Sequence, residues 1–226
     1  MNYHGTTIEH GNKAIELQII NKSVSTPKKD HWLGDGIYLY TEDFYAYRWI
    51  KMMYDNDIRT GEYNISGLLF ENFMVLGVEI ECNPEREFRM TSNPVHGMVF
   101  EKIRKKEAEK RKNIDEHKDK RISDGTVLNI MFNELDYGKS YDLVRCNFPT
   151  KEKDPDSRTT LSQEEQICVK NKEIIRHIID ISSSIDEKKY EAVFEMFQSY
   201  KKRNGGIYGK RNKSKWKKFG RGIEKN

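Results

Sequence analysis

The stretch DHWLGDGIYLY, residues 30–40, joins a turn to a strand within eleven positions. Its Gly-Asp-Gly segment, residues 34–36, is a turn signal, because glycine and aspartate accept backbone angles that other residues avoid. The following IYLY, residues 37–40, has the β-branched and aromatic composition of a strand. Two interpretations fit this junction: a loop that enters a core strand, or a mobile lip that closes over a flat ligand, with Tyr38 as its floor.

The composition predicts one soluble domain, with room for a small appendage. The chain has 226 residues, of which 36% are hydrophobic, 11% aromatic and 34% charged. No segment approaches the roughly 18 apolar residues of a membrane span, and the first residues lack a secretory leader. Cys82, Cys146 and Cys168 have no metal-like spacing, and their odd number argues against a disulfide framework. We therefore expect a reduced, cytoplasmic protein without a metal or a membrane partner.

Charge is concentrated at the C-terminus. Residues 201–226 contain eleven Lys or Arg residues and one acidic residue, Glu224, which gives a net charge of +10 against −6 for residues 1–200. Aromatic residues interleave these cations, and cations with aromatics can bind phosphates and stack on bases. A disordered, solubilising tail is the alternative. The candidate nucleic-acid-binding residues are Lys210, Arg211, Lys215, Trp216, Lys217 and Lys218.

Hydrophobic periodicity predicts a mixture of strands and helices. We predict strands at 1–5, 36–40, 74–82, 141–148, 165–171 and 173–182, and helices at 6–19, 41–54, 124–135 and 186–203. The charged block at 101–121 is an exposed helix or a flexible insertion, and 149–164 is a polar loop. Strands separated by long insertions favour an α+β fold over a doubly wound sheet. The predicted domain covers 1–200, and 201–226 forms a flexible basic tail.

Two further motifs carry chemistry. YHGT, residues 3–6, places His4 at a strand end, where it can donate to a sugar hydroxyl. Gly5 has no Cβ, so a ligand can approach its backbone N–H and C=O closely. In SQEEQICV, residues 162–169, an acidic pair opens a strand, and period-two alternation places Glu165 on the face of Ile167 and Val169. Each motif alone is common in proteins, and only their combination is informative.

The ordered set YHGT, GDGIYLY and EQICV resembles the His-Tyr-Glu class of ADP-ribosyltransferases, which includes diphtheria-type toxins and poly(ADP-ribose) polymerases. The resemblance covers residues 1–55 and 160–182. It implies an α+β fold with a split β-sheet core, helical insertions and NAD as the substrate. The Arg-Ser-Glu class fits less well, because no arginine precedes Arg48. The carboxylate position is open between Glu164 and Glu165, and Glu165 is favoured by its Glu-x-Ile spacing.

The resemblance also implies roles for individual residues. His4 binds the adenosine ribose, Gly5 the nicotinamide carboxamide through its backbone, and Thr6 the ribose or diphosphate. Tyr38, after Gly36, stacks on the nicotinamide, and the 22–35 loop covers the NAD. Glu165 binds the nicotinamide ribose and stabilises its oxocarbenium-like transition state. A second aromatic residue comes from the helix that follows, where Tyr45, Tyr47 and Trp49 compete and Tyr47 is our candidate.

The predicted function is transfer of ADP-ribose from NAD to a macromolecule, with RNA favoured over DNA by the basic tail. Members of the resembled family include bacterial toxins, phage-defence effectors and toxin–antitoxin components, so an antitoxin or chaperone is an expected partner. Three alternatives are open: ADP-ribosylation of a protein, hydrolysis of NAD, and a non-catalytic module that binds NAD or ADP-ribose.

Overall fold

The computed structural model divides the chain into two units. The first comprises Met1–Phe148 and Glu164–Ile185, and the second comprises Pro149–Gln163 and Asp186–Asn226. In the second unit, residues 187–193 are helical. The structure describes residues 1–26, 30–60, 65–114, 122–149 and 163–193.

The first unit contains six α-helices and seven strands among the described residues. The helices are α1 (Ile8–Leu17), α2 (Asp43–Thr60), α3 (Leu69–Asn72), α4 (Pro94–Ile114), α5 (Asp124–Asn133) and α6 (Tyr137–Ser140). The strands are β1 (Asn2–Thr7), β2 (Ile37–Tyr40), β3 (Phe73–Ile80), β4 (Glu87–Arg89), β5 (Leu143–Pro149), β6 (Gln163–Val169) and β7 (Ile175–Asp180). The α+β prediction is confirmed. None of the described helices is long and apolar enough to cross a membrane.

The seven strands form one mixed sheet in the order β4-β5-β6-β2-β1-β3-β7. β1 is antiparallel to both β2 and β3, β2 is antiparallel to β6, and β3 is antiparallel to β7. Among the described strands, β4 and β5 form a parallel pair. The central position of β1, β2 and β6 brings together segments that are more than 120 residues apart in sequence.

Period-two alternation divides the core into two clusters. Ile167 and Val169 enter the first cluster, whereas Cys168 between them enters the second. The first cluster also contains side chains of β3, β7 and α1, and the second contains side chains of α4, α5 and β5. The sheet is therefore covered on both faces by apolar contacts, and each strand residue is committed to one side.

The predicted helices and strands agree with the structure in their central residues and differ from it at their first or last residues. α1 begins at Ile8, two residues later than predicted, because the Thr7 hydroxyl accepts from the His10 amide and caps the helix. Ser123 caps α5, which begins at Asp124 as predicted. The charged block 101–121 is helical as far as Ile114. The short elements β4, α3 and α6 were not predicted, because three or four residues contain too little periodicity to detect.

Candidate functional site

The three motifs lie on three adjacent strands. His4 and Gly5 are on β1, Tyr38 is on β2, and Glu165 is on β6, with β2 between the other two. The register between β2 and β6 runs from Ile37↔Val169 to Tyr40↔Gln166. The fold therefore brings onto neighbouring strands the three segments that carry the motifs.

The sheet is nearly interrupted between β1 and β2. Among the described residues, β1 and β2 pair only at Tyr3↔Tyr40, whereas β1 pairs with β3 at six residues. The imidazole of His4 bridges the interrupted part, because its Nδ1 lies 2.7 Å from the backbone oxygen of Tyr38. We call this region, bounded by His4, Gly5 and Tyr38, the β1–β2 gap.

The His4 hydrogen bond fixes the tautomer of the ring. A carbonyl oxygen only accepts hydrogen bonds, so Nδ1 carries the proton. Burial lowers the pKa of His4 below its ordinary value, against the opposing effect of the bond to Tyr38. The neutral ring therefore offers Nε2 as an acceptor, and our expectation that His4 donates to a sugar hydroxyl is corrected. Thr6, two residues along β1 and partly buried, shares the face of His4.

The backbone of Gly5 points toward the gap. Gly5 lies opposite Val75 of β3. The Val75 amide donates to Ser182 Oγ at 3.0 Å, and its carbonyl accepts from the Ile181 amide at 3.0 Å. In an antiparallel pair, directly opposed residues exchange both backbone hydrogen bonds or neither. Since Val75 directs its groups away from β1, the N–H and C=O of Gly5 point toward β2.

Helix α2 packs against Gly5 on the side where a Cβ would lie. A Cβ at this position would lie 2.7 Å from both the Ala46 carbonyl oxygen and Ile50 Cγ2, and 3.3 Å from Trp49 Cδ1. Only glycine permits this approach of helix and strand. The side chain of Trp49 is beside Gly5 and remains 42% exposed.

Our choice of Tyr47 as the second aromatic residue of the site is not supported by its position. Tyr47 is 0% exposed, and its ring centroid lies 6.3 Å from that of Phe70 in α3. Tyr47 and Trp49 are two positions apart on α2, so their side chains point in different directions, and that of Tyr47 enters the core. Of the three competing aromatic residues, Trp49 is the one whose side chain lies beside Gly5.

Tyr38 is held firmly. Its hydroxyl donates to the Gly34 carbonyl at 2.7 Å and accepts from the Leu33 amide at 2.9 Å, while its ring packs against the second core cluster. Burial raises the pKa of Tyr38 far above its ordinary value, so the hydroxyl stays protonated. Tyr38 thus links β2, the strand that contains it, to Leu33 and Gly34 in the preceding turn.

The Gly-Asp-Gly turn is fixed from several sides. Gly34 has a φ of +71°, which L-residues with side chains rarely adopt. Asn129 of α5 accepts from the Asp35 amide at 2.7 Å and donates to its carboxylate at 2.9 Å. Lys170 donates to the Asp35 carbonyl at 2.6 Å. Gly36 packs so closely on β6 that a Cβ would lie 2.4 Å from the Cys168 sulfur. These contacts favour the interpretation of a loop that enters a core strand over that of a mobile lip.

The two candidate carboxylates have different environments. Glu164 is buried, forms an ion pair with Arg48, and accepts from Gln166 Nε2 at 2.5 Å. Glu165 has a side chain that is 30% exposed and accepts from Arg145 Nη1 at 3.1 Å. Glu164 thus has both oxygens engaged within the protein, whereas Glu165 remains accessible.

The tail residues predicted to bind nucleic acid lie outside the described residues. These are Lys210, Arg211, Lys215, Trp216, Lys217 and Lys218. No group of three or more His, Cys, Asp or Glu side chains arranged to hold a metal ion occurs in the described part of the chain.

Sequence reasoning missed two arginines of the site. Arg48 contacts Glu164, and Arg145 contacts Glu165. A signal for Arg145 was present, because it shares a strand face with Leu143, a core residue, and an inward-facing arginine needs a carboxylate partner. No comparable signal identifies Arg48, whose helix contains several charged residues.

Comparison with known proteins gives one informative match. No protein-family model matches the chain, and no solved structure matches it. The uncharacterized protein MJ0359 of Methanocaldococcus jannaschii is 31% identical over 204 residues, which cover 82% of this chain and 89% of the archaeal protein. Similarity of this extent shows common ancestry of the two proteins. The chain therefore belongs to the same protein family as MJ0359.

Proposed function

We propose that this chain is an ADP-ribosyltransferase of the His-Tyr-Glu class. It cleaves the bond between nicotinamide and ribose in NAD and transfers ADP-ribose to a macromolecular acceptor. The observation that carries this proposal is the β1–β2 gap, which is bounded by His4, Gly5 and Tyr38, with Glu165 on the next strand. Three motifs far apart in sequence lie on adjacent strands, at the point where the sheet is open.

The nicotinamide binds at Gly5. The carboxamide has one donor and one acceptor group, and the N–H and C=O of Gly5 that point toward β2 match both. Trp49 supplies an aromatic face beside Gly5, and Tyr38 bounds the gap from the other strand. Stacking contributes about 0.5–1.5 kcal/mol beyond area burial.

The two riboses of NAD bind on either side of Gly5. His4 accepts a hydrogen bond from a hydroxyl of the adenosine ribose through Nε2, and Thr6 lies on the same face for the ribose or diphosphate. Glu165 accepts from the 2′-hydroxyl of the nicotinamide ribose. Because its side chain is 30% exposed, its carboxylate is available to substrate.

Bond cleavage places positive charge on the sugar. The C1′–N bond breaks with its electron pair leaving on nicotinamide, and the ribose develops oxocarbenium character. The acceptor then donates an electron pair to C1′ and loses its proton. A carboxylate fixed beside the ribose stabilises this charge more strongly in the transition state than in the ground state. Removing one such preorganised group costs about 10²–10³ in rate.

RNA is the proposed acceptor. This choice depends on the basic, aromatic tail at 201–226, whose cations can neutralise phosphates and whose rings can stack on bases. A cytoplasmic toxin or defence effector, restrained by an antitoxin or chaperone, is the corresponding biological role.

Incubation with labelled NAD tests the proposal. Purified protein receives NAD labelled in the adenylate moiety, together with total RNA, DNA or lysate protein in separate reactions, and Glu165→Gln is the matched inactive control. Label that survives protease but not ribonuclease supports RNA as acceptor, and the reverse result identifies protein. Release of free ADP-ribose in every reaction identifies hydrolysis. Binding of NAD without consumption identifies a non-catalytic module and refutes the transferase proposal.

A further inference from the structure

A row of alternating charges ends at Glu165. Glu87 and Arg89 of β4, Arg145 of β5 and Glu165 of β6 lie on one side of the sheet, since their strand neighbours, such as Phe88, enter the second core cluster on the other side. The row crosses three strands at the edge of the sheet. We refer to these four residues as the Arg89–Glu87–Arg145–Glu165 row.

Hydrogen bonds connect the row from end to end. Arg89 Nε donates to Glu87 Oε2 at 2.8 Å. Arg145 Nη2 lies 3.4 Å from Glu87 Oε1, and Arg145 Nη1 donates to Glu165 Oε2 at 3.1 Å. The Glu87 side chain is 9% exposed, Arg145 20% and Glu165 30%. Glu87 is therefore the buried anchor within the row: exposure increases from Glu87 through Arg145 to Glu165, and Arg89, at the opposite end, is 42% exposed.

Glu165 is bound through one of its two carboxylate oxygens. Arg145 binds Oε2, and Oε1 has no hydrogen-bond partner among the described residues. Guanidinium groups are planar and present several N–H donors in a fixed fork, so Arg145 can bind two carboxylates in a defined orientation. A lysine in its place would offer a single ammonium on a flexible stem.

We propose that Arg145 is the positioning residue for Glu165. Its guanidinium, anchored by Glu87, orients the Glu165 carboxylate so that Oε1 faces the 2′-hydroxyl of the nicotinamide ribose. The inference rests on the proposed NAD cleavage. Arg145 acts through Glu165 and does not itself contact the reacting bond.

Steady-state kinetics of NAD cleavage with the full chain test this role. Misplacement of a reacting group by about 1 Å can cost ~10²-fold in rate. We expect Arg145→Gln to lower kcat by ~10–100-fold while KM for NAD changes less than about threefold, because uniform binding is retained. Arg145→Lys should retain more activity than Arg145→Gln. The control is Arg86→Gln, which breaks an arginine–carboxylate pair with Asp142 at the same sheet edge and should leave kcat near the wild-type value.

A double variant separates positioning from general stability. If Arg145 acts through Glu165, adding Arg145→Gln to Glu165→Gln should change the residual rate less than about twofold. Equal losses in both backgrounds would overturn the inference, because a structural defect reduces the rate regardless of Glu165. If the wild type is active, Glu165→Gln is inactive and Arg145→Gln has an unchanged kcat, the positioning role of Arg145 is overturned while the proposed function stands. A wild type that neither binds nor cleaves NAD would overturn the proposed function as well.

Discussion

Glu164 and Glu165 are adjacent, and the same substitution in each should affect different properties. Glu→Gln removes the charge and almost preserves the volume of the side chain. Glu164 has a side chain that is 6% exposed and is paired with Arg48, at 16%. Glu165 is 30% exposed, and its partner Arg145 also contacts Glu87. We therefore expect Glu164→Gln to lower stability and Glu165→Gln to lower activity.

The structure sets the size of both effects. Removing one partner of a buried ion pair costs about 3–5 kcal/mol. The lower end, about 3 kcal/mol, applies to Glu164→Gln, because glutamine keeps an acceptor and the Arg48 guanidinium stays 5.3 Å from the Tyr45 ring centroid. For a chain of this length that corresponds to a Tm about 6–12 °C lower. Glu165→Gln breaks a partly exposed pair and should cost less than about 1 kcal/mol, while NAD cleavage falls by about 10²–10³.

Thermal unfolding and NAD consumption are measured on the same preparations. Activity is assayed at 25 °C, where Glu164→Gln is still folded, and circular dichroism confirms this before each assay. Full NAD cleavage by Glu165→Gln, combined with loss of cleavage by a folded Glu164→Gln, would show that the catalytic carboxylate is Glu164. Equal tolerance of both substitutions would refute the mechanism.

Three further outcomes follow from the geometry. Gly5→Ala should lower the free energy of unfolding by about 2–3 kcal/mol in urea titrations, because the new Cβ would lie 2.7 Å from a carbonyl oxygen of α2. The control is Gly138→Ala, where the nearest atom to the new Cβ lies at 3.5 Å, and the free energy of unfolding should change by less than about 1 kcal/mol. Trp49→Ala should raise KM for NAD about tenfold through lost stacking, and Trp49→Phe should raise it less in the same assay. Burial, with a smaller effect of Arg89, lowers the pKa of His96, whose Nδ1 accepts from the Arg89 amide. The neutral ring is thus favoured by folding, so the stability from this site is present above the unfolded pKa, near 6.5, and lost as pH falls through the lower folded value. Urea midpoints at pH 7.5 and 5 should therefore differ more in wild type than in His96→Asn.

The centre of the fold was predictable because its patterns are strong. The period-two alternation of Ile167, Cys168 and Val169 predicted the strand and its two faces, and the structure places these residues in opposite clusters. The side-chain environments of Glu164 and Glu165 were not predictable, because their partners are separated from them by 116 and 20 residues. Helical phase alone could not choose among the aromatic residues of α2 either. That choice depends on where the axis of α2 lies over Gly5, which is a tertiary property.

The adjacent glutamates show how one strand can serve stability and chemistry together. Consecutive side chains of a strand point to opposite faces, so a pair of identical residues meets two unrelated environments. Glu164 meets Arg48 in a buried pair beside Tyr40, and Glu165 meets Arg145 at an accessible edge. A one-residue slip of β6 against β2 would put a glutamine in one of the two carboxylate positions: Gln166 in the place of Glu165, or Gln163 in the place of Glu164. The two ion pairs together oppose the slip, because only the observed register satisfies both of them. Disruption of the buried pair should therefore also loosen the placement of Glu165, which predicts a loss of kcat in Arg48→Met even when the variant remains folded at the assay temperature.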